Sequence, residues 1–345
     1  MGADIINIAV DIMGGDKAPD AIIEGVAQAL SMYGNDYHLL LVGPEKTIKL
    51  GLEKFGLEND ARLEIVNATE VVGMGEHPAT AIRNKRDSSI GVCMDMVRQN
   101  KAKAVFSAGN TGAAVAAAYF KWRMLPGINR PAIVTPLPTE KEPFLLLDSG
   151  ANSDCTPENL LHYAIMGSIY AESIYKRPNP RIGLLSNGTE ETKGCKLVQG
   201  AFKLLQNCKE INFIGNVEGH DLFTGDVDVV VCDGFVGNVV LKTCEQLALA
   251  MGHIIKRNLK KNPIWMMGAL MAKGALKDLK KQADYSETGG APLLGVAGVC
   301  MIGHGISNAK AVRNGIHAAG ELVRQRVNET ISEKVSKLDL VENME

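Results

Sequence analysis

Four stretches of this chain repeat one pattern: a short apolar or β-branched run, then a loop of glycine and small polar residues, then a helical period. The loops are 11–15 (DIMGG), 107–112 (SAGNTG), 186–194 (SNGTEETKG) and 233–238 (DGFVGN). Alternating β and α elements dictate a largely parallel sheet covered on both faces, because parallel neighbours need a crossover and the crossover is usually a helix. In such sheets the carboxyl ends of the strands open onto the ligand crevice. A glycine-rich turn there exposes backbone N–H groups at a helix N-terminus, which suits phosphate or another oxyanion. One such loop says little, since tight turns use glycine anyway. Four at corresponding strand ends point to a doubly wound α/β protein with an anion site.

Composition removes other classes. With 46% hydrophobic and 22% charged residues, the 345-residue chain can bury a large core and is not disordered. A net charge of −2 and 5% aromatic residues supply neither the basic field nor the stacking surface of a nucleic-acid binder, so no nucleic-acid partner is expected. The seven cysteines form no C-x-x-C pair and are odd in number, which points to free thiols in a reducing cytosol. The histidines show no metal-ligand spacing, and no metal is expected. No basic leader opens the chain, and the longest uncharged run, 289–309, holds six glycines and Pro292. The expected location is therefore cytoplasmic, with membrane contact only at the surface. Dinucleotide, P-loop and nucleophile-elbow motifs are all missing from the sequence.

Strands are expected at 5–10, 38–42, 63–66, 104–106, 182–185, 213–214 and 227–232, and helices from Asp20, at 88–100, 157–175, 195–205 and 238–257. Five prolines between Pro126 and Pro143 exclude a continuous helix there; two short strands, 132–135 and 144–147, should form a ribbon or sheet edge. A closing helix would place Val312, Ile316, Ala319, Val323, Val327 and Ile331 on one face. No linker divides the chain, so residues 1–345 are expected to form one α/β unit of two lobes around a cleft.

The longer motifs carry a resemblance. DIMGGDKAP (11–19), SAGNTGA (107–113), DSGANSDC (148–155), LSNGTEETKG (185–194), DVVVCDGFVGNVVLK (228–242), GGAPLLGVAG (289–298) and HGIS (304–307) follow one another in order. Through them the chain resembles, nearly end to end, the phosphate acyltransferase (PlsX) family of bacterial phospholipid synthesis. The resemblance implies a three-layer, doubly wound, largely parallel fold like that of isopropylmalate dehydrogenase and phosphotransacetylase. It also implies a homodimer, without a cofactor, that turns acyl-[acyl carrier protein] and inorganic phosphate into acyl phosphate and free carrier protein. The acyl phosphate would pass to a membrane glycerol-phosphate acyltransferase that makes lysophosphatidic acid. The alternatives are a phosphotransacetylase-like enzyme using acyl-coenzyme A and a non-catalytic membrane-surface scaffold, although a scaffold has no use for four polar strand-end loops. A dehydrogenase of this fold would need acidic metal ligands and a dinucleotide site, and neither pattern appears.

Phosphate near neutral pH is largely dianionic, so the implied reaction needs little general-base help and no Ser or Cys nucleophile. It needs phosphate held beside a thioester and an oxyanion stabilised as it develops. On this resemblance Lys193 and Asn238 are the catalytic candidates. Lys193, alone among lysines in the four loops, pairs either with phosphate or the leaving thiolate, or is a solvated surface side chain. Asn238 is expected in the first turn of its helix, as an oxyanion donor or a plain N-cap. Contacts to phosphate or substrate are expected from Gly14, Gly15, Asn110, Thr111, Gly112, Asn187, Gly188, Asp233, Gly234, Gly237 and His304. Asn110 and Thr111 could equally meet the pantetheine arm; Asp233 could be a turn residue and His304 structural. Asp11 and Asp16 are expected to hold loops.

A last feature lies at 258–285, expected to project as a basic amphipathic helical segment. Between Lys256 and Lys281 the chain has eight basic residues and one acid, Asp278. On a single helical wheel, Lys273, Lys277, Lys280 and Lys281 share an arc opposite Ile264, Trp265, Met267 and Met271, a pattern broken by Met266 and Leu270, which fall in the basic arc. Such a segment, with Lys260 and Lys261 at its start, suits an anionic membrane surface, an acidic carrier protein, dimer packing or the protein's own core.

Overall fold

The computed structural model describes residues 5–282, 284 and 286–342. It opens with β1 (Ile6–Asp11), α1 (Asp20–Tyr33), β2 (Tyr37–Gly43), α2 (Glu45–Glu53), β3 (Leu63–Asn67), α3 (Pro78–Asn84), α4 (Ser89–Arg98), β4 (Ala104–Ser107) and α5 (Thr111–Lys121). The proline-rich stretch gives β5 (Ala132–Ile133), β6 (Thr135–Leu137) and β7 (Phe144–Leu147). There follow α6 (Pro157–Ser173), β8 (Arg181–Leu185), α7 (Lys196–Asn207), β9 (Asn212–Val217), β10 (Val229–Val231) and α8 (Gly234–Leu259). The chain closes with α9 (Pro263–Met271), α10 (Lys273–Gln282), β11 (Ala291–Leu294), β12 (Val299–Ile302), α11 (Ala309–Arg324) and α12 (Val327–Glu342).

The strands form two sheets, a seven-stranded one in the order β3-β2-β1-β4-β12-β11-β5 and a five-stranded one in the order β6-β7-β10-β8-β9. The interior pairings are parallel; β11 runs antiparallel to both β12 and β5, and β6 antiparallel to β7. Both faces of each sheet are buried, as a parallel sheet requires. Ile8 and Val10 point into one core cluster and Ala9 into another; Leu145, Leu147, Val229 and Val231 join the first, while Leu146 and Val230 join a third. The first cluster includes side chains of both sheets, so the two lobes share a core.

Three expectations are corrected. The predicted strand 132–135 is divided between the sheets: β5 edges the large sheet, β6 the small one, and Val134 crosses over, its N–H donating to Pro292 O at 3.1 Å. The closing helix is two helices, broken at Arg326, where φ is +51°. The single helix drawn through 264–281 is also two, parted at Ala272, and none of the side chains described in either is buried. Core packing for that segment is thereby overturned. Ala283 and Tyr285, at its end, lie outside the described residues.

Candidate active site

Neighbouring strands β1, β4 and β12 end in loops that interlock. Ser107 Oγ donates to Asp11 Oδ2 at 2.7 Å, Gly303 N–H donates to Ser107 O at 2.8 Å, and Asp16 N–H donates to Gly305 O at 2.8 Å. Asp11 is buried; its burial pushes the carboxyl above the usual range against hydrogen bonds from Ser89, Ser107, Met13 and Gly14. It ties loops together. Gly14 is required because a Cβ would strike the Asp11 carboxylate and Gly109 N, and Gly15 lies against Ala108 and Gly305.

In the small sheet Asp148 does the equivalent work. At 0% exposure it accepts from the backbone N–H groups of Ile133, Gly150, Ala151 and Asn152, and from the Asn152 side-chain amide. Burial raises its carboxyl despite these donors. The start of α8 presses on the same turn: a Cβ at Gly234 would meet Asn152 O and Asp148 Oδ2, and one at Gly237 would collide with Asp148 O. These two glycines serve helix packing. Asp233 is the N-cap, its Oδ1 accepting from Phe235 and Val236 N–H at 3.0 Å each.

Because Asp233 caps, α8 starts earlier than predicted. Asn238 therefore stands in the second turn, neither cap nor first-turn residue. It is exposed, its side chain flanks Gly150, and its amide is without a hydrogen-bond partner among the described residues. One turn on, Lys242 Nζ pairs with Glu245 Oε2 at 2.8 Å and lies 3.3 Å from His304 Nε2. Asn238, Lys242 and Glu245 share one face of α8 by i, i+4 and i, i+7 spacing. His304 follows β12, so this contact joins the small-sheet lobe to the loops of the large sheet. Burial first, then the Lys242 charge, lowers the His304 pKa, which favours neutral imidazole.

The remaining predicted residues are placed apart from this face or otherwise engaged. Asn110 caps α5, its Oδ1 accepting from Ala113 N–H at 3.0 Å, while its Nδ2 donates to Met74 O at 2.9 Å; the amide is spent on loops. Thr111 is exposed at the start of α5, and Gly112 is where a Cβ would run into Pro78. Asn187 Oδ1 accepts from Gly194 N–H at 2.9 Å, closing the 186–194 loop, and Gly188 lies under the Lys193 stem. Lys193 is exposed, with Glu190 Oε2 at 4.0 Å; no hydrogen bond or ion pair among the described residues joins it to Asn238, Lys242 or His304. Its loop follows β8, the neighbour of β10, and so borders the start of α8. Cys232, Cys93 and Cys300 are buried, and burial raises each thiol pKa; Cys155 is raised in the same way. Lys242 and Asp148 were missed as site residues. Lys242 ends the motif that contains Asn238, and their four-residue spacing was the available signal.

A family profile described as a fatty acid synthesis protein matches residues 6–330. The phosphate acyltransferase of Pelotomaculum thermopropionicum is 48% identical over 336 residues, covering 97% of this chain and 96% of the relative. That of Desulfitobacterium hafniense is 50% identical over 333 residues, covering 96% of this chain and 98% of the relative. The chain belongs to the phosphate acyltransferase family. It is an enzyme, a transferase of acyl groups. Its fold is similar to that of a phosphotransacetylase from Streptococcus pyogenes, with a TM-score of 0.63 at 17% identity over 93% of this chain and 94% of that one. The doubly wound α/β architecture is thus shared with phosphotransacetylases.

Proposed function

We propose that the enzyme transfers a fatty acyl group from an acyl carrier protein thioester to inorganic phosphate, the first step toward lysophosphatidic acid. The observation that carries this reading is the unpaired Asn238 amide, one helical turn from the Lys242 ammonium, at the seam between the loops of the two sheets. A phosphate oxygen attacks the thioester carbonyl; the C–O bond forms, and the carbonyl electrons move onto oxygen. Asn238 donates to that oxyanion. When the carbonyl re-forms, the C–S bond breaks and the carrier thiolate leaves toward Lys193, which stabilises it until it takes a proton from solvent. Direct attack fits the raised thiol pKa values of Cys93, Cys155, Cys232 and Cys300, which keep those thiols protonated.

The exposed 258–282 segment fits the same reading. Met271 is 86% exposed, Ile264 74% and Met267 63%, and Lys260, Lys261, Trp265, Lys273 and Lys277 are exposed with them. Basic and apolar side chains on one projecting element suit an anionic membrane surface and an acidic carrier protein. On this proposal the enzyme is a cytoplasmic homodimer attached peripherally to the membrane, handing acyl phosphate to a membrane glycerol-phosphate acyltransferase. Among the described residues no helix is long and apolar enough to cross a membrane.

Hydroxylamine trapping of acyl phosphate tests the reaction. Acyl carrier protein thioester plus phosphate should give hydroxamate in proportion to enzyme. A larger kcat/KM with acyl-coenzyme A would instead assign the phosphotransacetylase-like reaction.

A further inference from the structure

Lys193 is carried by a turn that side-chain amides tie down. Glu190 O accepts from Lys193 N–H at 3.0 Å, which closes the turn 190–193. The same carbonyl accepts from Asn216 Nδ2 at 2.9 Å. Asn216 stands on β9 in register with Leu184 of β8 and is 6% exposed. Its Oδ1 is buried without a hydrogen-bond partner among the described residues. A buried acceptor left unpaired costs about 1–3 kcal/mol. A polar side chain kept at that cost points to function rather than to stability. From the other side, Gln199 Nε2 on α7 donates to Thr192 O at 2.7 Å and to Gly194 O at 3.1 Å, the carbonyls on either side of Lys193. Asn187 Oδ1 accepts from Gly194 N–H at 2.9 Å. The ammonium is held far less closely, with Glu190 Oε2 at 4.0 Å. A lysine stem is flexible, so the place of Nζ depends on the backbone that carries it.

We propose that Asn216 and Gln199 are positioning residues of the transfer reaction: they fix the turn so that Lys193 Nζ meets the departing thiolate. This rests on the acyl-transfer reading above, in which Lys193 receives that thiolate. Both residues act through Lys193 rather than on the reacting atoms. A displacement of about 1 Å in such a group can lower a rate by about a hundredfold. Asn216 carries more of the effect because it is buried, whereas Gln199 is exposed and water competes for the carbonyls it holds.

The test follows turnover of acyl carrier protein thioester with phosphate by the whole enzyme, together with hydrogen exchange of the Lys193 amide. Asn216→Ala leaves Glu190 O its bond from Lys193 N–H, so the variant should fold. Its kcat should drop about tenfold to a hundredfold while the phosphate KM stays within about twofold. Exchange at Lys193 N–H should quicken about tenfold. Gln199→Ala should lower kcat by about threefold. In a Lys193→Ala background neither substitution should lower kcat further, because the group they place is gone. A full additional loss there overturns the proposal, as does unchanged exchange at Lys193 in Asn216→Ala. Should Asn216→Ala fail to fold, Gln199→Ala, on the surface, decides the same cycle. Wild-type kcat in Lys193→Ala removes the earlier role of Lys193 and this proposal with it. That result is distinct from a slow Lys193→Ala on which Asn216→Ala still adds its loss, which overturns the positioning role alone.

Discussion

At the residue scale the decisive contrast is between polar side chains that are committed and those left unpaired. Asp11, Asn110, Asn187 and Asp233 spend their oxygens on backbone N–H groups or neighbouring hydroxyls, whereas Asn238 does not. Asn238→Ala should therefore slow turnover by about a hundredfold with little change in stability, as when one oxyanion donor is removed. Asn238→Asp should be slower still, since it sets a negative charge where one develops. Thermal melts and kcat measured together check this; a variant that loses stability and keeps kcat would return Asn238 to a structural role. Lys193→Ala should likewise lower kcat, by stranding the thiolate, and leave the phosphate KM unmoved.

His317 stacks on Tyr33 at 4.2 Å between ring centroids and pairs through Nδ1 with Tyr37 Oη at 2.7 Å. Burial lowers its pKa; Glu321 and Asp36 oppose the shift and Arg324 adds to it, while Arg313 acts on the stacked Tyr33. Since the folded pKa lies below the unfolded one, the unfolded state takes up the proton first as pH falls. Stability is complete above the unfolded value, near ~6.5, and declines as pH drops through that value toward the folded one. His304, lowered in the same direction, contributes with the same sign. Denaturant unfolding from about pH 7 to about pH 5 should show a shallower loss in His317→Gln than in wild type. Equal slopes would remove His317 from the acid response.

At the element scale, α8 is fixed by what lies under its first turns. Asp233 caps it, and Gly234 and Gly237 let it close onto the turn that Asp148 organises. Replacing Asp148 with Asn leaves one carboxyl-type oxygen where two now accept, and turns an amide N–H₂ toward backbone donors. The expected cost is about 2–4 kcal/mol of stability from buried unpaired groups. Activity should fall with it, because the turn sets the place of Gly150 beside Asn238. Urea unfolding reads the first effect, and an unchanged midpoint would contradict this account of Asp148.

Across the whole molecule, two sheets share one core, while α8 beyond its first turns and the described side chains of α9 and α10 contribute no buried residue. Leu247, Leu249, Ile254 and Ile255 are exposed along α8, followed by the bare apolar side chains of α9. Large exposed apolar patches are the usual mark of interaction sites, which is the physical ground for the membrane and carrier-protein contacts proposed above. Replacing Trp265, Met267 and Met271 with Gln should leave the melting temperature nearly unchanged, since none of them is buried, and should abolish co-sedimentation with anionic vesicles. Retained vesicle binding with lost activity would assign these residues to the carrier protein or the dimer.

The β/α rhythm, the loops at strand ends and the family were legible in the sequence, because these depend on short-range periodicity and on motifs many residues long. Asn238 was a candidate through the family motif that holds it, and the 258–282 segment stood out by its charge and apolar content. Tertiary structure alone decided that 132–137 serves two sheets, since β6 pairs with the nearby β7 while β5 pairs with β11, far along the chain. It also decided which loop residues are free: whether an Asn or Asp binds a ligand depends on whether a backbone N–H from elsewhere has already taken its oxygen. Lys242 gained its place in the same way, through a histidine 62 residues away that no local pattern could bring beside it.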